Sequence, residues 1–367
     1  MTILDPPAPG TVRDPELPNG TSTMPSFLAL TARKHLPAIA LTFIVAVVLV
    51  LNSAQPASIS TITLIGIYGL MATSLGMIYG QAGMMSLGQA SFAALGAYST
   101  AILSVRWELN PLLGLVAAVL IPSMIAYPLA RLIVRLSSLA LALSTLFLGS
   151  AVAILLNQGG DFTGGYLGIG GIPTLAFLKT PVDYTIFVWV CVIIVIILYT
   201  NLVKSAAGRA LNTLRVDSLR SQADGDRGLH RLSGLFAFAA GLAGLSGWLY
   251  AHYMTYLAPE SLSVHLSLSL LLMVLVGGSR HVLGPVLGAV VLTYMNKVLP
   301  DDMQGLLYGA SVILVLIAAP RGIIGTIENI VQRRRPQGAT KPPAREPAAV
   351  PSAPTIESED PQRNGDK

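Results

Sequence analysis

The sequence predicts an all-α membrane protein, a polytopic bundle of about ten transmembrane helices, some of them broken at glycine-rich segments. Of its 367 residues, 53% are hydrophobic and only 11% are charged, and the mean hydropathy is +0.66. A soluble chain carries about 25% charged residues. Apolar stretches of roughly 20 residues, the length that crosses a bilayer core, also recur along the chain. We therefore expect lipid to be its main solvent.

The two ends of the chain differ from the rest. Residues 1–35 are rich in Pro, Gly, Thr and Asp and end in a basic pair, which predicts a disordered cytoplasmic extension before an uncleaved first span. Residues 326–367 are basic at first and then rich in Pro, Glu, Ala and Ser, a composition that cannot bury enough apolar surface to fold. Residues 36–325 are the predicted transmembrane domain, and both termini are predicted to be cytoplasmic.

Apolar runs bounded by polar or glycine-rich loops define the elements of this domain. The ten candidate spans lie near residues 36–54, 60–79, 84–104, 111–134, 137–157, 184–203, 232–253, 264–277, 284–299 and 304–319.

The basic residues of the loops follow this division. With a cytoplasmic N-terminus, the inside loops hold Arg33, Lys34, Arg131, Arg135, Lys204, Arg209, Arg215, Arg220, Arg227, Arg231, Arg280, Arg321 and Arg333 to Arg335. The outside loops hold only Arg106, Lys179 and Lys297. This asymmetry is the positive-inside pattern of multi-pass membrane proteins, and it explains the net charge of +5 without nucleic acid as a partner.

Glycine and proline interrupt several spans. The interruptions are Gly80 to Gly88, Pro122, Pro128 and Gly277 to Pro285, where helix hydrogen bonds are expected to be disturbed. Such backbone survives at membrane depth only when it is buried in protein or lines a wet cavity.

Small residues also run through the seventh span, as Gly234, Ala237, Ala239, Ala240, Gly241, Ala243, Gly244, Ser246 and Gly247. They indicate close helix packing, with direct solute contact as the alternative.

The polar residues do not suggest an enzyme. The spans hold no carboxylate pair, no metal-spaced histidine cluster and no nucleophile with an evident base, so no catalytic or metal site is predicted. His252 and His265 are expected to be solvated at an interface. No Asp, Glu, Lys or Arg lies in the middle of a span, which disfavours an ion-coupled carrier. No phosphate loop is present, so any ATP must be hydrolysed on another chain.

The longest internal loop, residues 204–231, is predicted to contain a short helix outside the membrane. Its basic residues could serve only to anchor the neighbouring spans.

Several motifs, in a fixed order, resemble the branched-chain amino acid ABC transporter permeases, specifically their M-type (LivM-like) subunit. The motifs are GQAGMMSLGQASFAALGAY at 80–98, TGGYLGIGGIP at 163–173, Pro259-Glu260-Ser261, LLLMVLVGG at 270–278, Gly284 to Ala289 and Pro320-Arg321-Gly322. Gln89 stands where the family usually has His. The resemblance implies that residues 36–325 form a permease domain of the bacterial cytoplasmic membrane.

The resemblance also implies partners and a coupling loop. The partners would be a second, homologous permease, two cytosolic ATPase subunits that hold ATP and Mg, and an extracytoplasmic solute-binding protein. The residues that match the family's ATPase-contacting segment are Ser205, Gly208, Arg209, Leu211, Arg215, Asp217 and Gly225. No cofactor is expected on this chain.

Two further sets of residues are predicted to face solute or partner. Ser86, Gln89, Thr145 and Thr163 are candidates for the translocation path, although Ser and Thr often only satisfy helix backbone. Gly164, Gly165 and Tyr166 are candidates for contact with the binding protein. The implied solute is a branched-chain or related amino acid. Urea, amides or aromatic acids remain alternatives, and a passive solute channel is the alternative from another class.

Overall fold

The computed structural model describes residues 56–216 and 227–298, together with residue 41, residues 309–310 and 313, and residues 322–326. The predicted first and tenth spans and the two terminal segments therefore fall almost entirely outside the described residues. Asp217 and Gly225 of the coupling loop also lie outside them.

The described residues are mostly helical, as predicted. The helices are α1 (Pro56–Ala82), α2 (Gln89–Val105), α3 (Pro111–Ile133), α4 (Ser138–Gln158), α5 (Pro181–Lys204), α6 (Ala206–Val216), α7 (Arg227–Met254), α8 (Val264–Gly277) and α9 (Gly284–Val298). The second to ninth predicted spans each coincide with one of these helices, and the predicted helix in the long loop is α6. Two short strands, β1 (Ile169–Gly170) and β2 (Tyr256–Leu257), pair antiparallel.

Six helical segments in the described part of the chain are long and apolar enough to cross a membrane. They are α1, α3, α4, α5, α7 and the segment Pro259–Gly277, which includes α8. The 17 residues of α2 and the 15 of α9 are shorter than the roughly 20 that a full crossing needs. The total of about ten spans stays a prediction.

The outward faces of α3 and α4 are apolar and exposed. Met124, Leu132, Leu139, Phe147 and Leu155 are each at least 67% exposed. A contiguous apolar face of this size is typical of a lipid or partner contact and not of a surface in water. The protein is therefore embedded in a membrane.

Local capping explains several helix starts. The side chain of Asn110 accepts a hydrogen bond from the Leu112 backbone N–H at 2.9 Å, directly before Pro111. Thr180 and Asp183 form a reciprocal capping box at the start of α5. Both arrangements satisfy N–H groups that have no partner inside their helix.

The two ends of the bundle are distinguished by their contacts. Arg215 of α6 reaches Gly80 near the end of α1, and we call this end of the bundle the α6 end. Lys297 of α9 reaches Ala57 at the start of α1, and β1 and β2 also follow helices that run towards this opposite end. We call it the strand end.

Helix α7 packs closely against α2 and α3, as its small residues predict. A Cβ at Gly247 would overlap the carbonyl oxygen of Ala93 in α2, and one at Gly244 would overlap the carbonyl oxygen of Ala118 in α3. No larger residue fits without moving the backbone. The packing interpretation of this stripe is therefore confirmed.

The predicted interruptions have different outcomes. The chain leaves helical geometry at residues 83–88 and again at residues 278–283, as expected. The predicted interruption of the span at Pro122 and Pro128 is wrong, because α3 continues through both. Pro122 is buried, so neighbouring helices hold α3 in shape despite the lost hydrogen bonds.

Candidate functional site

A cluster of buried polar side chains surrounds the break between α1 and α2. We call it the polar cluster; its members come from α1, the break, α2, α4 and α8, and they are Ser74, Ser86, Gln89, Thr145 and Ser267. All of them are at most 1% exposed. Buried polar groups cost free energy unless they are hydrogen-bonded, so each of these side chains needs a partner or a ligand.

Gln89 joins three helices at the start of α2. Its Nε2 donates to Ser74 Oγ of α1 at 2.8 Å and to the carbonyl oxygen of Ala239 of α7 at 3.2 Å. A carbonyl only accepts, and the Ser74 hydroxyl already donates to the carbonyl of Met71. Both partners therefore require the amide nitrogen, which fixes the orientation of the side chain.

Two oxygen atoms in the polar cluster are left over. Neither Gln89 Oε1 nor Ser86 Oγ has a hydrogen-bond partner among the described residues. A buried polar atom without a partner is unfavourable by about 1–3 kcal/mol. These two oxygens are therefore available to a polar solute or to water.

Thr145 and Ser267 satisfy backbone instead. Thr145 Oγ1 accepts from the Leu87 N–H at 2.9 Å, and Ser267 Oγ accepts from the Ala90 N–H at 3.0 Å. The first N–H groups of a helix have no partner inside it, so these two side chains hold the break and the first turn of α2 in position. Ser267 was not among the sequence-predicted residues, although it too is a polar residue in an apolar run.

The polar cluster lies away from the helix ends at the α6 end. A rise of 1.5 Å per residue puts Ser74 about 12 Å from the end of α1 at Ala82, and Ser267 about 15 Å from the end of α8 at Gly277. Both residues are therefore two to three helical turns from the ends of their helices.

Thr163 is not part of the polar cluster. It follows α4, and its hydroxyl donates to the carbonyl of Leu156 at 2.7 Å. Thr145 is roughly 16 Å earlier along the same helix than Leu156. The structure therefore brings together three of the four predicted path residues and leaves Thr163 at the strand end.

Helix α6 turns away from α5 at Ser205. Ser205 Oγ accepts from the Gly208 N–H at 3.1 Å and so caps α6. A Cβ at Gly208 would overlap the carbonyl oxygen of Leu202, and Leu211 is only 2% exposed. Helix α6 thus packs against the bundle through Ser205, Gly208 and Leu211.

The two arginines of α6 have different surroundings. Arg209 is exposed, and its Nη1 donates to the carbonyl of Lys204 at 2.8 Å. Arg215 is half-buried, and its Nη1 donates to the carbonyl of Gly80 at 2.5 Å. The Gly80 carbonyl lies in the last turn of α1, where carbonyls lack helical partners. Arg215 therefore ties α6 to the end of α1, directly before the break.

A cleft of about 410 Å³ opens beside this contact. We call it the basic cleft because three arginines line it. Its lining residues are Gly80, Gln81, Val203, Gly208, Arg209, Asn212, Arg215 and Arg280.

The strand end is held by a tight backbone arrangement. Gly164 and Gly168 both have positive φ, and a Cβ at Gly168 would overlap the carbonyl oxygen of Leu257. The hydroxyl of Tyr256 donates to the carbonyl of Leu167. The glycines therefore allow a close pairing of the 163–171 loop with β2, while the Tyr166 ring stays 75% exposed.

His252 is buried and not solvated, so the sequence-based expectation for it is wrong. Its Nδ1 lies 2.7 Å from the carbonyl of Pro173 and its Nε2 lies 3.0 Å from Thr100 Oγ1. Because a carbonyl only accepts, Nδ1 carries a proton and donates. His252 thus connects the loop after β1 to α2 and α7. His265 is exposed, as expected.

Comparison with known proteins gives a family. The family model described as "Branched-chain amino acid transport system / permease component" matches residues 58–316. The chain is 28% identical to a high-affinity branched-chain amino acid transport system permease protein LivM of Salmonella typhimurium, over 73% of this chain and 70% of that protein. It is 22% identical to a probable LivM permease protein of Methanocaldococcus jannaschii, over 71% of this chain and 90% of that protein. No solved structure matches.

Proposed function

The chain belongs to the family of branched-chain amino acid transport system permease components, and from this premise we propose that it is the membrane-spanning permease subunit of an ATP-driven importer for branched-chain amino acids. The observation that carries the proposal is the extent of the match: residues 58–316 include α2 to α9 and all but the first two residues of α1. The similarity is therefore to the whole membrane core and not to one motif.

In this proposal the α6 end faces the cytoplasm of a bacterial cell. Arg131, Arg135, Lys204, Arg209 and Arg280 lie at that end, and positive residues favour the cytoplasmic side. The partners are a second permease subunit, two ATPase subunits that bind ATP and Mg and carry out its hydrolysis, and an extracytoplasmic binding protein.

Helix α6 is the proposed docking element for the ATPase. Its exposed face includes Ala206, Ala207, Arg209, Asn212 and Thr213. The small residues permit close approach, and the Arg209 guanidinium can bind carboxylates or carbonyls of a partner through two parallel hydrogen bonds.

Arg215 has a different proposed role, which is to transmit movement. It contacts Gly80 and packs beside Gly83, where a Cβ would lie 3.1 Å from Arg215 Cγ. Residues 83–88 contain Ser86 and lead directly to Gln89. A displacement of α6 by the ATPase would therefore pull on the segment that carries the unpartnered oxygens.

Ser86 and Gln89 are the proposed solute contacts in the translocation path. Their free oxygens suit an ammonium group, and the positive end of the α2 dipole beside them suits a carboxylate. An amino acid carries both groups. Thr145 is a positioning residue for this segment.

Gly164, Gly165 and Tyr166 are proposed to contact the binding protein. The tight loop holds the backbone at Tyr166, whose ring is exposed at the strand end, and an aromatic side chain has few rotatable bonds to order when it binds a partner.

Uptake and copurification test the proposed function together. Cells that lack this chain are complemented with it, and the uptake of labelled leucine, urea and phenylalanine is measured. We expect leucine uptake to be restored and the tagged chain to copurify with an ATPase subunit. Restored uptake of urea or phenylalanine without leucine contradicts the solute, and flux without any ATPase indicates a passive channel instead.

A further inference from the structure

The basic cleft lies where the ends of three helices meet. Gly80 and Gln81 precede the end of α1 at Ala82, Val203 precedes the end of α5 at Lys204, and Arg280 follows the end of α8 at Gly277. Because the apolar cores of these helices end here, the cleft is at the depth of the lipid headgroups.

The lining of the cleft is rich in hydrogen-bond donors. It contains three guanidinium groups and the side-chain amides of Gln81 and Asn212, while none of the described residues that line it carries a carboxylate. Guanidinium groups bind phosphate oxygens through paired hydrogen bonds. Like charges around one cavity repel each other, so an anion in the cleft removes an unfavourable arrangement.

Two of the three arginines are already held in place. Arg209 donates to the Lys204 carbonyl and Arg215 donates to the Gly80 carbonyl, and each guanidinium retains further N–H groups. Arg280, in the loop between α8 and α9, is exposed and lines the same cleft. The geometry is therefore pre-organised for an anion between α6 and that loop.

The preference of positive residues for the cytoplasmic side does not explain why three arginines line one cleft. Arg131 and Arg135 lie at the same end of the bundle and are exposed without lining the cleft. They provide the same topological signal from separate positions.

We propose that the basic cleft binds a phosphate group, supplied by the headgroup of an anionic phospholipid in the leaflet at the α6 end. Basic pockets between transmembrane helices at this depth are suited to lipid phosphates. The bound headgroup bridges Arg280 to Arg209 and Arg215, and so holds α6 against the bundle. This role does not depend on which solute the permease carries.

The retention of phosphatidylglycerol tests the proposal directly. The full-length chain is purified in detergent, supplied with phosphatidylglycerol or phosphatidylcholine, and examined by native mass spectrometry and thermal denaturation. We expect retained phosphatidylglycerol and a raised melting temperature with that lipid only. Arg280→Gln should weaken retention roughly tenfold or more, since it removes a charge-assisted phosphate contact.

Arg131→Gln is the matched control, because it removes the same charge at the same end from outside the cleft. Equal loss of lipid in both variants, or no loss in Arg280→Gln, overturns the proposal. Inorganic phosphate is then added as a competitor. If millimolar phosphate displaces the lipid and stabilises the chain in phosphatidylcholine, the ligand is a soluble phosphate, and the lipid assignment is wrong.

The measurement is made on the permease chain without an ATPase, and Arg280 lies outside α6. A failure of this proposal therefore leaves the proposed function untouched, and a failure of ATPase coupling leaves the lipid result untouched.

Discussion

Replacing Arg215 by Gln separates the transmission of movement from the docking of the ATPase. In the wild type, Arg215 Nη1 donates to the Gly80 carbonyl at 2.5 Å. A hydrogen bond from a charged donor stabilises by about 1.5–3 kcal/mol. Because Arg215 is half-buried and water competes for the carbonyl, the lower value applies, which changes the equilibrium between attached and detached α6 about tenfold.

The expected result is an uncoupled transporter. The exposed face of α6 is unchanged in Arg215→Gln, so the ATPase should still copurify with the membrane complex. The number of leucine molecules transported per ATP hydrolysed should fall about tenfold, in line with the detachment of α6 from the end of α1. Both quantities are measured in proteoliposomes with labelled leucine and a phosphate-release assay.

Arg209→Gln is the control on the same helix. Arg209 is exposed and donates to Lys204 instead of to the end of α1, so its loss should weaken ATPase association and leave the transport ratio of the remaining complexes unchanged. The reasoning is refuted if Arg215→Gln keeps the wild-type ratio, or if both variants lose the ATPase to the same extent.

Three further predictions concern packing, solute contact and topology. Gly247→Ala should destabilise the protein by about 1–3 kcal/mol, because the added Cβ overlaps a backbone carbonyl, and thermal denaturation in detergent measures this. Ser86→Ala should raise the KM for leucine without lowering the melting temperature, because its hydroxyl has no partner among the described residues. In a Cys191→Ser background, a cysteine at Tyr166 should react with impermeant thiol reagents in intact cells, and one at Asn212 should not.

Each of these predictions has a result that contradicts it. Gly234 is the control for packing, since no atom of the described residues lies within 4 Å of a Cβ added there. Equal melting temperatures of Gly234→Ala and Gly247→Ala would refute the close-packing argument. An unchanged KM in Ser86→Ala would show that Ser86 does not contact the solute in the translocation path. Labelling of the cysteine introduced at Asn212 in intact cells would show that the orientation is opposite to the one proposed.

Much of the fold follows from hydropathy alone. Eight predicted spans coincide with helices, because a long apolar segment in lipid must satisfy its backbone hydrogen bonds internally and a helix does so. The predicted interruption at Pro122 was wrong for a physical reason. Tertiary packing keeps α3 helical there, and such packing cannot be read from the local sequence. The break at residues 83–88 was predictable, since it combines glycines with polar residues.

The candidate site was only partly predictable. Ser86, Gln89 and Thr145 were found because they are polar residues in apolar surroundings, but Thr163 shares that property and belongs to the strand end. The different roles of Arg209 and Arg215 could not be inferred, because the spacing of two arginines along a helix does not show which of them faces α1. The burial of His252 depends on Pro173, a contact across 79 positions of the chain.

The accumulation of leucine against a gradient tests the central claim most directly. The chain is reconstituted into proteoliposomes with the copurifying permease and ATPase subunits, the binding protein and labelled leucine on one side. The account predicts that leucine accumulates above its external concentration only when ATP is supplied to the α6 side. Equilibration of leucine without ATP, or no leucine transport by an otherwise intact complex, would contradict it.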